Sequence, residues 1–386
     1  VRKARAPRKK TQTAGGVAVE LQLSKRGNTG NNGNSTPAAI GKKRKRKAPE
    51  LVDESLAWAL VDVEGEIPAQ RYDCGFAVFE SNLIVVGGIV GNHRLNDLYI
   101  LETNQQQQQH PHSHPPALWK KPLCTGTPPP TGSLLQTFVI GERLYVIGGT
   151  NDGKFLTELH MMNLKSGEWK WERLAIAGQP PSMRYWYSVS VLDGAAILYG
   201  GYGHPKRLGD TFALRFDTEM PTWVELQPSG DLPGPSSTHS VCVHDSKMYI
   251  FGGYDGKSRR SQLHALSITS KTQDAIECVW EQVSTLGRGP APRYTHSSAS
   301  IGSKMLVYGG NSGCLKGDLH ILEFDDVELP TWKLVKCEHA PPPREWHRAV
   351  VLDDAMFVFG GHTAEGNENK LYKLTAKEAS SSSTAP

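Results

Sequence analysis

Six apolar runs along the chain are closed by a pair of adjacent glycines, at Gly87-Gly88, Gly148-Gly149, Gly200-Gly201, Gly252-Gly253, Gly309-Gly310 and Gly360-Gly361. Each follows a tryptophan: Trp58, Trp119, Trp171, Trp223, Trp280 and Trp332, at a separation of 29 residues five times and 28 once. From a glycine pair forward to the next tryptophan the spacing is 32, 23, 23, 28 and 23, so insertions are confined to that half of the unit. A fixed period of this length marks one supersecondary unit used repeatedly, each unable to bury its apolar face alone.

The unit reads as four short strands. Apolar runs at 144–147, 248–251 and 356–359 lead into glycine pairs and read as buried strands. Eight or nine residues past each pair, Asp97, Glu158, Asp210, Gln262, Asp318 and Lys370 open a third strand, and the tryptophan marks a fourth. A first strand follows proline-rich turns, as at 75–79, 188–192 and 349–352. With 39 glycines and 25 prolines in 386 residues, many short strands are favoured over a helical bundle. Four strands in about 50 residues is the size of a propeller blade. Glycine pairs permit positive φ and close backbone approach near a crowded axis, and a tryptophan on the adjoining strand is expected to cover the surface they leave bare.

The glycine pairs in phase with the tryptophans resemble the kelch repeat. That resemblance covers 56–375 and implies an all-β, six-bladed propeller. The phase predicts closure, because Trp58 supplies a fourth strand before any first strand and the last unit stops after its third. Residues 56–62 are therefore expected to complete the blade built from 344–374. A low-complexity stretch at 104–117, with Gln105 to Gln109 and His110, His112 and His114, reads as a disordered loop, and 376–386 as a flexible tail.

Residues 1–50 carry 14 Lys/Arg against two acids, whereas the remainder carries 29 against 37. A basic arm without apolar periodicity is thus joined to a mildly acidic body, and disorder is expected for the arm. Within it, Lys42, Lys43, Arg44, Lys45, Arg46 and Lys47 form the kind of cation run that nuclear import receptors bind. Weak, salt-sensitive nucleic-acid binding through residues 1–50 is the other reading of that charge. No apolar run approaches the roughly 20 residues of a membrane-crossing helix. No signal core opens the chain, and the six cysteines are widely spaced with no CxxC pair, so reduced thiols and a nuclear location, with a cytoplasmic one beside it, are expected.

The repeats act as one another's controls: a residue type recurring at one position serves the fold, and a departure marks a candidate site. His239, His296 and His347 share one position and read as hydrogen-bonding residues between blades. Two positions per unit are expected to face the axis at one mouth. The first strands begin Arg71-Tyr72, Ser133-Leu134, Arg184-Tyr185, Ser236-Ser237, Arg293-Tyr294 and Arg344-Glu345. The glycine pairs are followed by Ile89, Thr150, Tyr202, Tyr254, Asn311 and His362. In peptide-binding members of the family these two rings line the pocket. Trp186 and Trp346 lie one residue further on.

Arginine forks bind carboxylates, and aromatic rings give rigid contact area, so Arg71, Tyr72, Arg184, Tyr185, Trp186, Tyr202, Ser237, Tyr254, Arg293, Tyr294, Asn311, Arg344, Trp346 and His362 form the expected partner site. A peptide with acidic side chains or a free C-terminus suits it, although recurrence of the arginine in four units equally suits bracing of the strand. Basic loops carrying Arg94, His204, Lys206, Arg207, Lys257, Arg259 and Arg260 widen the patch.

A monomeric interaction module without metal or cofactor is the favoured reading, as nuclear scaffold or substrate adaptor. The alternatives are a ubiquitin-ligase receptor whose recruitment element lies elsewhere, a nucleic-acid-associated protein, and a kelch-fold enzyme built on Glu345, Arg344 and His362. No nucleophile elbow, phosphate-cradling loop or HExxH is present.

Overall fold

The computed structural model describes residues 51–52, 56–103, 116–151, 153–272, 275–324 and 329–376. The basic run at 42–47, the rest of the arm, most of the Gln/His/Pro stretch and nearly all of the tail lie outside the described residues.

All described elements are strands. Six antiparallel sheets follow in chain order, numbered here as blades 1 to 6. Their innermost strands are Gly75–Phe79, Gln136–Ile140, Ser188–Leu192, Ser240–His244, Ser297–Ile301 and Arg348–Leu352. Each inner strand lies beside the inner strand of the next blade, and Arg348–Leu352 lies beside Gly75–Phe79, so the ring closes. The protein is a β-propeller. Leu56–Leu60 pairs antiparallel with Leu371–Ala376 as the outer strand of blade 6.

The apolar core is divided among the gaps between blades. Six clusters occur, one per gap, and each receives the tryptophan of the following blade. In four gaps that indole packs on the ring just before the neighbour's glycine pair. The contacts are Trp119 with Phe359, Trp280 with Tyr199, Trp332 with Phe251 and Trp58 with Tyr308, with centroids 5.1–5.7 Å apart. The tryptophan thus reaches across to the preceding blade instead of covering its own glycines.

The glycines have a separate cause. Both members of every pair have positive φ. A Cβ on the second would stand 2.6–2.9 Å from a carbonyl oxygen at the start of the same blade, as Gly253 would from Ser237. In blades 1 and 3 the second and third strands run straight through the pair as long hairpins, Asn82–Val90 with His93–Glu102 and Ala195–Gly203 with Lys206–Arg215.

A further glycine recurs seven residues after five of the six tryptophans: Gly65, Gly126, Gly178, Gly230 and Gly287. Each ends a short segment lying parallel to the outer strand of the next blade. Positive φ lets the chain turn past that strand's tryptophan carbonyl, where a Cβ would collide. The sixth position is His339, also at positive φ (54°). No parallel segment is paired to the outer strand of blade 6 among the described residues.

Candidate functional site

The four arginines expected at the mouth are turned into the fold. Arg71, Arg293 and Arg344 are wholly buried and Arg184 nearly so. Each lies against an acid, within the third strand in blades 1 and 3 and just before it in blades 5 and 6: Arg71 on Asp97 (2.7 Å), Arg184 on Asp210, Arg293 on Asp318 (2.8 Å) and Arg344 on Glu368 (3.0 Å). Each also donates to the carbonyl of the first glycine of its pair, at 2.8–3.1 Å. With every fork committed to a carboxylate and a carbonyl, these arginines brace the strand start. The four are therefore corrected from ligand contacts to bracing residues.

Register in blade 2 also differs. Ser133 bridges Thr150 as Tyr72 bridges Ile89, and Tyr185 bridges Tyr202, so Ser133 stands at the tyrosine position and Gly132 where the arginine would be. Leu134 belongs one step further on, with Asp73, Trp186, Thr238, Thr295 and Trp346. All six adopt positive φ, between 55° and 63°. Five backbone N–H···O bonds join neighbours in this ring, as from Thr295 to Thr238 at 3.0 Å and from Trp346 to Thr295 at 3.2 Å. Trp186 and Trp346 come from opposite blades and meet over the axis with centroids 6.0 Å apart. They bridge the mouth and divide it.

On the side of blades 3 to 5 the wall is aromatic and cationic. Phe155 stacks on Tyr185 (5.5 Å), Tyr185 packs on Trp186 and Tyr202, and Tyr254 faces Tyr294. Arg207 lies between two rings, 4.6 Å from the centroid of Tyr202 and 4.9 Å from that of Tyr254, and its Nε donates to Ser237 Oγ at 3.3 Å. Arg259 stands over Tyr294 at 5.3 Å. Tyr185, Tyr202, Tyr254 and Tyr294 are half-buried, whereas Ser237 lies on the floor. Asn311 caps its own loop by accepting from the Gly313 N–H. The composition alone gave Arg207 and Arg259 as loop charges; the long hairpin of blade 3 is what folds Arg207 back over the tyrosines.

The other side, from blade 6 to blade 1, is less uniform. Glu345 accepts from Thr295 Oγ1 at 3.0 Å, and exposed His362 faces Asn367 at 3.0 Å. Tyr72 is half-buried beside Ile89. Arg344 is held by Glu368, while Glu345 and His362 stand opposite each other in a short antiparallel ladder with their side chains turned to Thr295 and Asn367. Burial pushes the Asp73 carboxyl up to about 7, against the nearby Arg348 guanidinium, which pulls it down. Below the ring, Ser188 meets His239 (2.7 Å) and Ser297 meets His347 (2.8 Å) across blade boundaries. Burial pushes these imidazoles down, to about 4 for His239 and about 3 for His347.

The closed ring of glycine-paired sheets defines a kelch-type propeller, and the family comparison agrees. The KLHDC2/KLHL20/DRC7 Kelch-repeats domain matches residues 50–253, 168–361 and 273–385, and the chain belongs to the kelch-repeat family. It is 31% identical over 60% of its length to the leucine-zipper-like transcriptional regulator 1 homolog of Drosophila melanogaster, covering 24% of that protein. It is 30% identical over 63% of its length to kelch domain-containing protein 1 of Mus musculus, covering 65% of it. Adagio-like protein 3 of Oryza sativa subsp. japonica is 27% identical over 83% of the chain, which spans 51% of that protein. The chain thus spans from about a quarter to about two thirds of these relatives. The solved structure of YjhT superposes with a TM-score of 0.58 at 15% identity, over 81% of this chain and 97% of that one, a likeness of fold. Family membership supports a protein-interaction module.

Proposed function

We propose that the propeller captures an acidic segment of a partner protein, or its free C-terminal carboxylate, on the half of the mouth walled by blades 3 to 5. The observation that carries this reading is Arg207, held between Tyr202 and Tyr254 with Arg259 beside it over Tyr294. Stacked guanidinium groups are pre-oriented and weakly hydrated, which suits them to carboxylates. Tyrosine and arginine together dominate interface hot spots. The Trp186–Trp346 bridge supplies an apolar edge to the same half, and Ser237 a hydroxyl at its floor.

A displayed library of acidic, neutral and basic peptides, each also presented with a free or amidated C-terminus, tests this. Acidic or free-carboxylate peptides are expected to be selected. Arg207→Ala with Arg259→Ala should weaken their binding at least tenfold while the thermal unfolding temperature holds. Selection of neutral or basic peptides, or equal binding by the double variant, would overturn the reading.

A further inference from the structure

At the mouth, neighbouring blades are joined by backbone bonds that recur around the ring. The N–H at each strand start donates to a carbonyl of the preceding blade: Arg71 to Glu368, Gly132 to Leu95, Ser236 to Leu208, Arg293 to Arg260 and Arg344 to Lys316, at 2.9–3.2 Å. At four junctions the second glycine of the preceding pair donates back to the strand-start carbonyl, as Gly253 does to Arg293 at 2.8 Å. The positive-φ ring supplies a third bond at five junctions. Between blades 2 and 3 all three are missing among the described residues. Arg184 N–H does not meet Leu156 O, Gly149 N–H does not meet Arg184 O, and Trp186 N–H does not meet Leu134 O. The inner strands Gln136–Ile140 and Ser188–Leu192 still lie side by side below. This junction is closed at the inner strands and open at the mouth.

The opening holds a pocket of about 40 Å³ between Leu156 and Arg184, the residues of the first missing bond. Ile147, Tyr187, Leu198 and Trp223 line it, and Met183, 62% exposed, stands at its rim. The sequence explains the space. Ile147 precedes its glycine pair, where Tyr199, Phe251, Tyr308 and Phe359 carry the rings that pack on the next blade's tryptophan. Trp223 receives no such ring from blade 2. The Arg184 guanidinium is already bonded to Asp210 and Ser182, which leaves the pocket to apolar groups.

Phe155 and Tyr185, sequence neighbours of Leu156 and Arg184, stack at 5.5 Å and join the pocket to the tyrosine wall of blades 3 to 5. A segment lying along that wall continues over the opening. A space of about 40 Å³ takes about three groups of water size. That suits the branched end of a leucine and is too small for an indole. Met183 has the freedom to close over such a side chain.

We propose that the open junction between blades 2 and 3 takes a leucine-sized aliphatic side chain from the same partner segment whose acid or carboxylate meets Arg207 and Arg259. This rests on the reading of blades 3 to 5 as the peptide surface.

Methyl NMR of the full chain titrated with N-acetyl-leucine amide reads the pocket apart from the mouth. Saturable shifts of the Leu156 and Leu198 methyls are expected, with no saturation by the alanine or tryptophan amides. Ile147→Phe installs the ring that four other blades carry and should abolish the leucine shifts. Should that variant fail to fold, Met183→Asp on the exposed rim is expected to weaken them at least tenfold. No saturable shift, equal shifts with alanine, or full shifts in the folded variant would overturn the proposal. Acidic peptides carrying one leucine should bind the wild type at least tenfold tighter than their alanine counterparts, and Ile147→Phe should erase the difference. Acidic peptides bound equally with leucine or alanine refute the pocket and leave the mouth reading standing. Leucine amide bound without selection of acidic peptides leaves the leucine site standing and refutes the acidic reading.

Discussion

At the scale of single residues, two kinds of arginine share one face of the propeller. Arg293 is wholly buried, is paired with Asp318 and donates to Gly309 O at 2.9 Å. Arg207 stacks between two tyrosines on the half-exposed wall. Removing one partner of a buried pair leaves the other uncompensated, at a cost of about 3–5 kcal/mol, less here because Asp318 is 31% exposed. Arg293→Ala is therefore expected to lower unfolding free energy in urea by about 3 kcal/mol, and Arg207→Ala by less than about 0.5 kcal/mol. The reverse order would return Arg293 to the binding surface. A signal for bracing was present in the sequence: arginine at the strand start accompanies an acid 24 to 26 residues later in blades 1, 3, 5 and 6. Blade 4, with Ser236, has Gln262 there. In blade 2, where glycine replaces the arginine, Glu158 turns instead to His160 (3.1 Å) and Arg173 (3.1 Å).

At the scale of the strand and its linker, the glycine seven residues after each tryptophan is a second punctuation of the repeat. It permits the turn past the next outer strand, and five units obey it. His339 departs from it while keeping the positive φ of 54°, which costs an L-residue about 1–2 kcal/mol. Glycine would relieve most of that and lose some through its looser unfolded chain. His339→Gly is expected to raise stability by about 1 kcal/mol in urea unfolding, and an unchanged or lowered midpoint would show that the histidine side chain holds the turn by other contacts. Strand identity was legible because glycine pairs and tryptophans repeat in phase. Register was legible only where a marker residue stood. In blade 2 the arginine is missing, and the alignment slipped by one residue, from Gly132-Ser133 to Ser133-Leu134. The aromatic wall was legible in composition but not in arrangement, because the hairpin that carries Arg207 over Tyr254 joins neighbouring blades, a contact no single unit encodes.

At the scale of the whole molecule, six inner strands bring titratable groups from distant sequence into one buried ring, and the ring should set the pH dependence of folding. Burial pushes His239 down to about 4 and His347 to about 3, and His296 well below its ordinary value, so all three are neutral in the fold at pH 5. In the unfolded chain they protonate near pH 6.5. Asp73 acts in the opposite sense, since burial raises it to about 7 against about 3.9 unfolded. Near pH 5 the unfolded chain therefore binds about three protons on the histidines where the fold binds one on Asp73. A net difference of about two protons makes stability rise with pH by about 2.7 kcal/mol per unit in that window. At pH 6.5 the unfolded histidines still hold about 1.5 protons against about 0.8 on Asp73 in the fold, and by pH 7.5 both have fallen to about 0.3 or less, so the rise slackens and levels off. Asp318, held well below the usual carboxylate range by Arg293 and His320 despite its burial, matters only under about pH 4. Urea unfolding from pH 4.5 to 8 should show a rise that slackens above pH 6.5 and levels off near pH 7.5. Asp73→Asn should steepen the rise below pH 7, toward three protons near pH 5. A stability flat from pH 4.5 to 6.5 would mean that water between the inner strands solvates the imidazoles well enough to cancel their burial.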